Sequence, residues 1–270
     1  MAHNLPIGVF DSGVGGLTVL REMVHALPGE RFVYFGDTQR APYGGKTPET
    51  IITYAREITR YLNAWPVKAV VTACNTESAY ALEDMRKVTR SPVLGVLEPA
   101  VRRTLAVTRT GRVGLMATKA TVESGAYQAM LRRHRPDIAV VTSACTKLVP
   151  LIEAGETTGS ALEAVLRMYL EPLMSADIDT LILGCTHYPL VADRIRAIVG
   201  PAVTLVDPAR HTATALRRLL ETHNLTATVP QGDHVFLASK KTPAMQRLIR
   251  SVKADAKLEL VDIEALHWQK

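Results

Sequence analysis

Apolar residues along this 270-residue chain come in short runs. Each run is followed by a polar turn and then by a stretch whose apolar positions recur every three or four residues. Residues 6–10, 31–36, 67–72 and 92–95 are near-continuous apolar runs and read as buried strands. Between them, residues 17–27, 49–65 and 77–88 carry helical spacing. Thr47-Pro48 places a capping residue before a proline at the first helical position, and Thr242-Pro243 repeats that start near the C-terminus. Strands alternating with helices predict an α/β fold, in which a mainly parallel sheet is covered on both faces.

The pattern then repeats about one hundred residues further on. Ile7-Gly8-Val9-Phe10 and Val113-Gly114-Leu115-Met116 are both short strands feeding a loop of small residues and then a helix. Val70-Val71-Thr72-Ala73-Cys74-Asn75-Thr76 is echoed by Leu181-Ile182-Leu183-Gly184-Cys185-Thr186-His187, and residues 34–38 by 140–144. Self-similarity at this period predicts two similar, mainly parallel-sheet domains related by pseudo-symmetry, with a site in the cleft between them. The C-terminal stretch reads as a strand at 235–239, a helix at 242–252 and a strand at 258–261. It is assigned to the first domain, because a second half of matching size is already complete. The expected domains are therefore 1–98 plus 210–270, and 99–209.

Composition narrows the function classes. An apolar share of 47% is enough for a substantial core and argues against a disordered chain. Three cysteines are too few for a disulfide framework, and their odd number fits a reducing compartment, so a cytoplasmic location is expected. The first residues lack the basic start and apolar run of a signal peptide, and no apolar run reaches the ~20 residues of a membrane span. The net charge of +6 is scattered over Arg102/Arg103, Arg132/Arg133/Arg135, Arg217/Arg218 and Lys240/Lys241, and aromatics make up only 5%. A nucleic-acid surface would concentrate both, so neither a nucleic-acid nor a membrane partner is expected. Solvated helix faces, or attraction of a small anionic metabolite, fit better.

In open parallel sheets, ligands bind beyond the carboxyl ends of the strands. Loops at such positions are Asp11-Ser12-Gly13-Val14-Gly15-Gly16, residues 36–45, Cys74-Asn75-Thr76 and Cys185-Thr186-His187. The glycine loop departs from a dinucleotide fingerprint, since Thr18 stands where the third glycine belongs and Asp11 would repel a pyrophosphate. It is read instead as helix-start amides that hold a carboxylate, with Asp11 and Ser12 accepting an ammonium. Cys74 and Cys185 each follow an apolar strand and precede hydrogen-bonding residues. Without a Cys-x-x-Cys pair, a metal site is not expected. A nucleophilic cysteine with His187 as base is one reading. Two thiols on opposite sides of a cleft suit another: one removes a proton from a carbon acid while the other returns a proton to the opposite face, as a racemase or epimerase requires.

Taken together, Gly8-Val9-Phe10-Asp11-Ser12-Gly13-Val14-Gly15-Gly16, Tyr34-Phe35-Gly36-Asp37-Thr38 with Ala41-Pro42-Tyr43-Gly44, Ala73-Cys74-Asn75-Thr76, and Gly184-Cys185-Thr186-His187-Tyr188-Pro189 resemble the glutamate racemases of the cofactor-independent aspartate/glutamate racemase superfamily, in order and over nearly the whole chain. The resemblance implies interconversion of L- and D-glutamate without cofactor or metal, supply of D-glutamate for peptidoglycan, and a homodimer. It implies that Cys74 exchanges the proton of D-glutamate and Cys185 that of L-glutamate. Asp11 and Ser12 match positions near the amino group, with Asp11 assisting the first thiol. Pro42 belongs to a matching motif, and Tyr43, Gly44, Asn75, Thr76 and Thr186 match positions that hold the two carboxylates. His187 matches a residue assisting the second thiol, and Glu153 the acidic residue of the second half. Thr118 and Thr121 resemble polar residues lining the cleft, although Thr118 is equally a helix cap. Residues 144–150, Ala-Cys-Thr-Lys-Leu-Val-Pro, depart from the family's Ala-Cys-Pro-aromatic-Val-Pro pattern just before Glu153, and Cys145 is read as structural.

Overall fold

The computed structural model describes residues 2–229 and 232–267. Met1, residues 230–231 and residues 268–270, all within the span expected for the first domain, lie outside the described residues. Ten short strands alternate with helices: β1 (Ile7–Asp11), β2 (Phe32–Gly36), β3 (Ala69–Thr72), β4 (Val93–Gly95), β5 (Arg112–Ala117), β6 (Ala139–Ala144), β7 (Thr180–Gly184), β8 (Thr204–Val206), β9 (Val235–Ala238) and β10 (Leu258–Leu260). They form two sheets, ordered β10-β9-β2-β1-β3-β4 and β6-β5-β7-β8. Every pairing is parallel, as strands buried on both faces and joined by helices require. The fold is α/β with two similar sheets. β9 enters the first sheet beside β2, with Val33 opposite Val235 and Gly36 opposite Ala238.

The helices start where their caps predict. Thr47 accepts from the Thr50 amide ahead of Pro48–Asn63, and Thr242 accepts from the Met245 amide ahead of Pro243–Val252. One segment departs from expectation. The periodicity over 77–88 predicts one helix, yet the chain forms two, Asn75–Tyr80 and Leu82–Val88, with a break at Ala81 (φ −113°, ψ −4°). Both pieces pack on Pro48–Asn63, and the first also reaches Lys119–Glu123 of the second half. Starting at Asn75 instead of residue 77 also places Cys74 at the N-cap.

The largest apolar cluster lies between the two sheets and joins them. Leu20 and Met23 of Gly16–Ala26, Leu97 and Val101 of Leu97–Val107, Tyr127 and Leu131 of Ala126–His134, and Leu216 and Leu220 of Pro208–Thr222 meet there with strand residues from both halves. Separate clusters cover the outer face of each sheet. The shared core sets the carboxyl ends of the two sheets toward one another. Among the described residues, no helix is long and apolar enough to cross a membrane.

Because Leu216 is fully buried in this shared core, Leu216→Ala is expected to destabilise the fold by about 2–5 kcal/mol. Denaturant unfolding should show this as a lower midpoint, and an unchanged midpoint would mean that Pro208–Thr222 does not bind the halves together.

Candidate active site

Strand ends from both sheets converge on one cavity of about 30 Å³. Its walls include Ser12 beyond β1, Pro42, Tyr43 and Gly44 beyond β2, Cys74, Asn75 and Thr76 beyond β3, Thr118 beyond β5, Cys185, Thr186 and His187 beyond β7, and Glu153 from Leu148–Ala154. The two cysteines, one from each sheet, thus line the same space. Gly13, Ala41, Val149 and Gly184 also contribute to the walls and were not among the residues expected. Asp11 and Thr121 are wholly buried and stand behind the walls.

The glycine loop is organised differently from the expected carboxylate cradle. Asp11 is its own anion: Oδ1 accepts from the Gly13 amide at 2.9 Å, and the Gly16 amide also bonds the carboxylate. Gly15 and Gly16 are buried rather than open to a ligand. A side chain at Gly15 would collide with Thr186 and the His187 ring, and one at Gly16 would lie 2.9 Å from the Tyr34 hydroxyl and closer still to Asp11. Gly16 therefore lets the start of Gly16–Ala26 lie against Asp11 and Tyr34 of its own half, and Gly15 lets it approach the loop after β7 of the other. The Thr18 hydroxyl completes the contact, 2.9 Å from the Thr186 carbonyl. Burial raises the Asp11 pKa, against the opposing charge of His187.

The surroundings of the two thiols are unlike. Cys74 lies in extended backbone (φ −76°, ψ 128°) at the N-cap of Asn75–Tyr80, and its thiol donates to Ser12 Oγ at 3.7 Å. Burial pushes this thiol pKa well up, and the Glu77 and Asp11 carboxyls push it further; the Glu77 amide and Ser12 oppose them. Cys185 instead has His187 Nδ1 at 3.7 Å from its sulfur, while His187 Nε2 lies 2.9 Å from Glu153 Oε1. Burial alone would lower the His187 pKa, but its bonds to the Cys185 sulfur and to Glu153 outweigh burial and raise it to about 10. His187 is therefore an imidazolium at neutral pH, with one N–H on each partner. Glu153 reaches the site despite the altered residues before it.

Polar contacts hold the remaining walls. The Thr76 hydroxyl is 2.9 Å from that of Thr118 and 3.0 Å from that of Thr121, and these two are 3.0 Å apart, so one hydroxyl triangle spans both halves. Thr118 is also a cap, accepting from the Thr121 amide, so its two readings hold together. The Tyr127 hydroxyl donates to Asn75 Oδ1 at 2.7 Å, which orients the Asn75 amide. Beyond β2, Asp37 accepts from Arg40 Nε at 2.5 Å, from the Ser239 hydroxyl at 3.0 Å and from Tyr43 Oη, fixing the loop that carries Pro42 and Gly44. The Tyr43 hydroxyl is thereby committed to Asp37. Sequence reasoning quoted Asp37 as part of a motif but gave it no role. Tyr127 and Glu77 carry no local pattern that marks them. Cys145 is buried in the outer cluster of the second sheet and donates to the Ser143 carbonyl at 3.4 Å, as a structural thiol does. Among the described residues, no group of three or more His, Cys, Asp or Glu side chains is placed to hold a metal ion.

The profile of the Asp/Glu/Hydantoin racemase family matches residues 7–216. A glutamate racemase of Geobacter metallireducens is 48% identical over 234 residues, covering 86% of this chain and 87% of its own. The crystal structure of a glutamate racemase isoform from Bacillus anthracis superposes with a TM-score of 0.91 at 33% identity, over 97% of this chain and 98% of that one. The glutamate racemase of Francisella tularensis in complex with D-glutamate gives 0.90 at 34% identity, over 97% and 99%.

The His187 pKa predicts a titration. A raised imidazole value stabilises the folded state fully below the unfolded value near 6.5, and that contribution fades as pH rises through about 10. In a histidine NMR titration, the His187 midpoint should fall in Cys185→Ser and, by less, in Glu153→Gln, whose carboxylate is more than a third exposed. A wild-type midpoint near 6.5 would show that the imidazolium is not held by these partners.

Proposed function

This chain belongs to the Asp/Glu/hydantoin racemase family, and on that premise we propose that it interconverts L- and D-glutamate with Cys74 and Cys185 as the two proton-transferring groups. The observation that carries the reading is the presence of both thiols, from matching strand ends of two sheets, on one cavity. Inversion at carbon requires a base on one side and an acid on the other. A single nucleophile–histidine pair would account for Cys185 and His187 but leave Cys74 without work. Relatives 42–48% identical to this chain over most of its length are glutamate racemases, which favours glutamate over aspartate as substrate.

With L-glutamate bound, the Cys185 thiolate, facing the His187 imidazolium, takes the α-hydrogen as a proton and leaves the electron pair on carbon. The Cys74 thiol then delivers its proton to the other face, giving D-glutamate, a Cys185 thiol and a Cys74 thiolate. The reverse reaction uses the same groups in the opposite roles. Both transfers are accounted for by the chain's own residues, so the reading calls for no cofactor. The α-proton is weakly acidic, so the developing carbanion needs donors placed in advance. Asn75, Thr76, Thr186 and the amides around Tyr43 and Gly44 are assigned to the carboxylates. Ser12 and, behind it, Asp11 are assigned to the ammonium.

A cavity of about 30 Å³ holds one or two waters and not an amino acid, so the halves must part for substrate to enter and close around it. Closure strips water from the thiols and strengthens every contact within. By resemblance to the family, the reading extends to D-glutamate supplied for peptidoglycan synthesis in the cytoplasm by a homodimer with domains 1–98 plus 210–270 and 99–209.

In heavy water with no added cofactor, the wild-type protein should place deuterium at Cα of the product enantiomer. Cys74→Ser and Cys185→Ser should each reduce kcat by about 10²–10⁴-fold, the usual contribution of a positioned acid or base. Racemisation that survives both replacements would overturn the two-thiol reading.

A further inference from the structure

Glu77 is a buried acid that the mechanism above does not use. It occupies the third position of Asn75–Tyr80, three residues after Cys74, and is 0% exposed. One carboxyl oxygen, Oε2, accepts from the Thr72 hydroxyl at 3.0 Å, and the other, Oε1, is buried with no hydrogen-bond partner among the described residues. At the N-terminus of a surface helix an acidic side chain commonly points outward and is stabilised by the helix dipole. This one is turned inward, toward the end of β3 and the Cys74 side of the cavity.

The charged groups around it lie at the end of β1 and beyond β2, and the Tyr34 and Tyr43 hydroxyls face it as well. Asp11 at the end of β1 and Asp37 beyond β2 both disfavour a charge on Glu77, and the Arg40 guanidinium favours it. Arg40 is already engaged, with Nε on Asp37 at 2.5 Å and Nη1 on Glu57 at 2.6 Å. A carboxylate that is buried, unpaired and beside other acids is strongly disfavoured, so Glu77 gives up its proton only above the ordinary carboxylate range, and the charge it then carries disfavours a thiolate at Cys74. Asp11, Glu77 and Cys74 then form a cluster in which a second negative charge is resisted. The Cys185 side has the opposite arrangement, with an imidazolium against the sulfur.

Building on the two-thiol reading, we propose that Glu77 is a positioning residue that keeps the proton on the Cys74 side of the cleft, so that the resting enzyme carries a thiol at Cys74 and a thiolate–imidazolium pair at Cys185 and His187. The enzyme at rest is then set to take hydrogen from L-glutamate. Turnover toward D-glutamate leaves the thiolate at Cys74, and the carboxyl beside it favours return of the proton there. Glu77 touches no reacting atom in this scheme. It acts through the protonation state of Cys74.

The test is per-cysteine alkylation by iodoacetamide across a pH series, read by peptide mass spectrometry on substrate-free protein, for wild type and the near-isosteric Glu77→Gln. In wild type the Cys74 midpoint should lie well above the ordinary thiol value. In Glu77→Gln the Cys74 midpoint should move down while the Cys185 midpoint stays in place. Two enantiomers have equal free energy, so kcat/KM remains the same in both directions for any variant. The bias should therefore appear as a severalfold rise in kcat for D-glutamate relative to kcat for L-glutamate, with KM values changing in proportion. A Cys74 midpoint unmoved by Glu77→Gln overturns the inference, as does a wild-type Cys74 midpoint at or below the ordinary thiol value. The second criterion decides the matter even if the variant does not fold. Racemisation retained by Cys74→Ser would instead overturn the two-thiol reading itself, whatever the alkylation midpoints.

Discussion

A thiol buried in a protein resists ionisation, because a sulfur anion loses its hydration there and gains little in return. Any chemistry that asks a buried cysteine to remove a proton from carbon must first offset that cost, and the two sides of the site place different groups against the sulfur. Cys185 faces the His187 imidazolium, which is held in place by Glu153 behind it. Cys74 faces two carboxyl groups and a serine hydroxyl. The cavity is thus electrically lopsided although the two sheets around it are alike.

That lopsidedness depends on how the halves meet. Gly15 allows the first helix to lie against Thr186 and His187, and the Thr18 hydroxyl reaches the Thr186 carbonyl. The same loop turns the Gly13 and Gly16 amides onto Asp11, which offsets part of the cost of burying that carboxyl group beneath the floor of the site. On the other flank, Thr76, Thr118 and Thr121 share hydroxyl contacts, the Tyr80 hydroxyl donates to the Ala120 carbonyl and the Ala120 amide donates to the Gly44 carbonyl. Many of the residues assigned to substrate therefore also join the two halves. Opening the cleft breaks such contacts, and a substrate that replaces them favours closure.

The apolar core acts in the same direction. Pro208–Thr222 packs against helices from both parts of the chain, so the sheets share one continuous interior. This interior holds the strand ends in register behind the cavity, while the polar flanks in front of it are the contacts that can exchange for ligand.

Local sequence determined the parts of this protein that local physics controls. Apolar runs and three-to-four spacing marked the strands and helices within a few residues, because burial and backbone period act over short stretches of chain. Repetition of the strand–loop–helix unit indicated two similar sheets, and the position of Cys74 and Cys185 just past apolar strands placed both at strand ends. The break at Ala81 was not legible, since the spacing of apolar residues runs on through it and only the first piece also meets the second half. Nor was the meeting of Glu153 with His187, separated by 34 positions, or of Tyr127 with Asn75, separated by 52. Glu77 looked like an ordinary first-turn acid until the fold turned it inward. Tertiary structure alone decided which charges face which thiol, because electrostatic contact depends on distance in space and on exclusion of water, and neither is written in the spacing of residues along a chain.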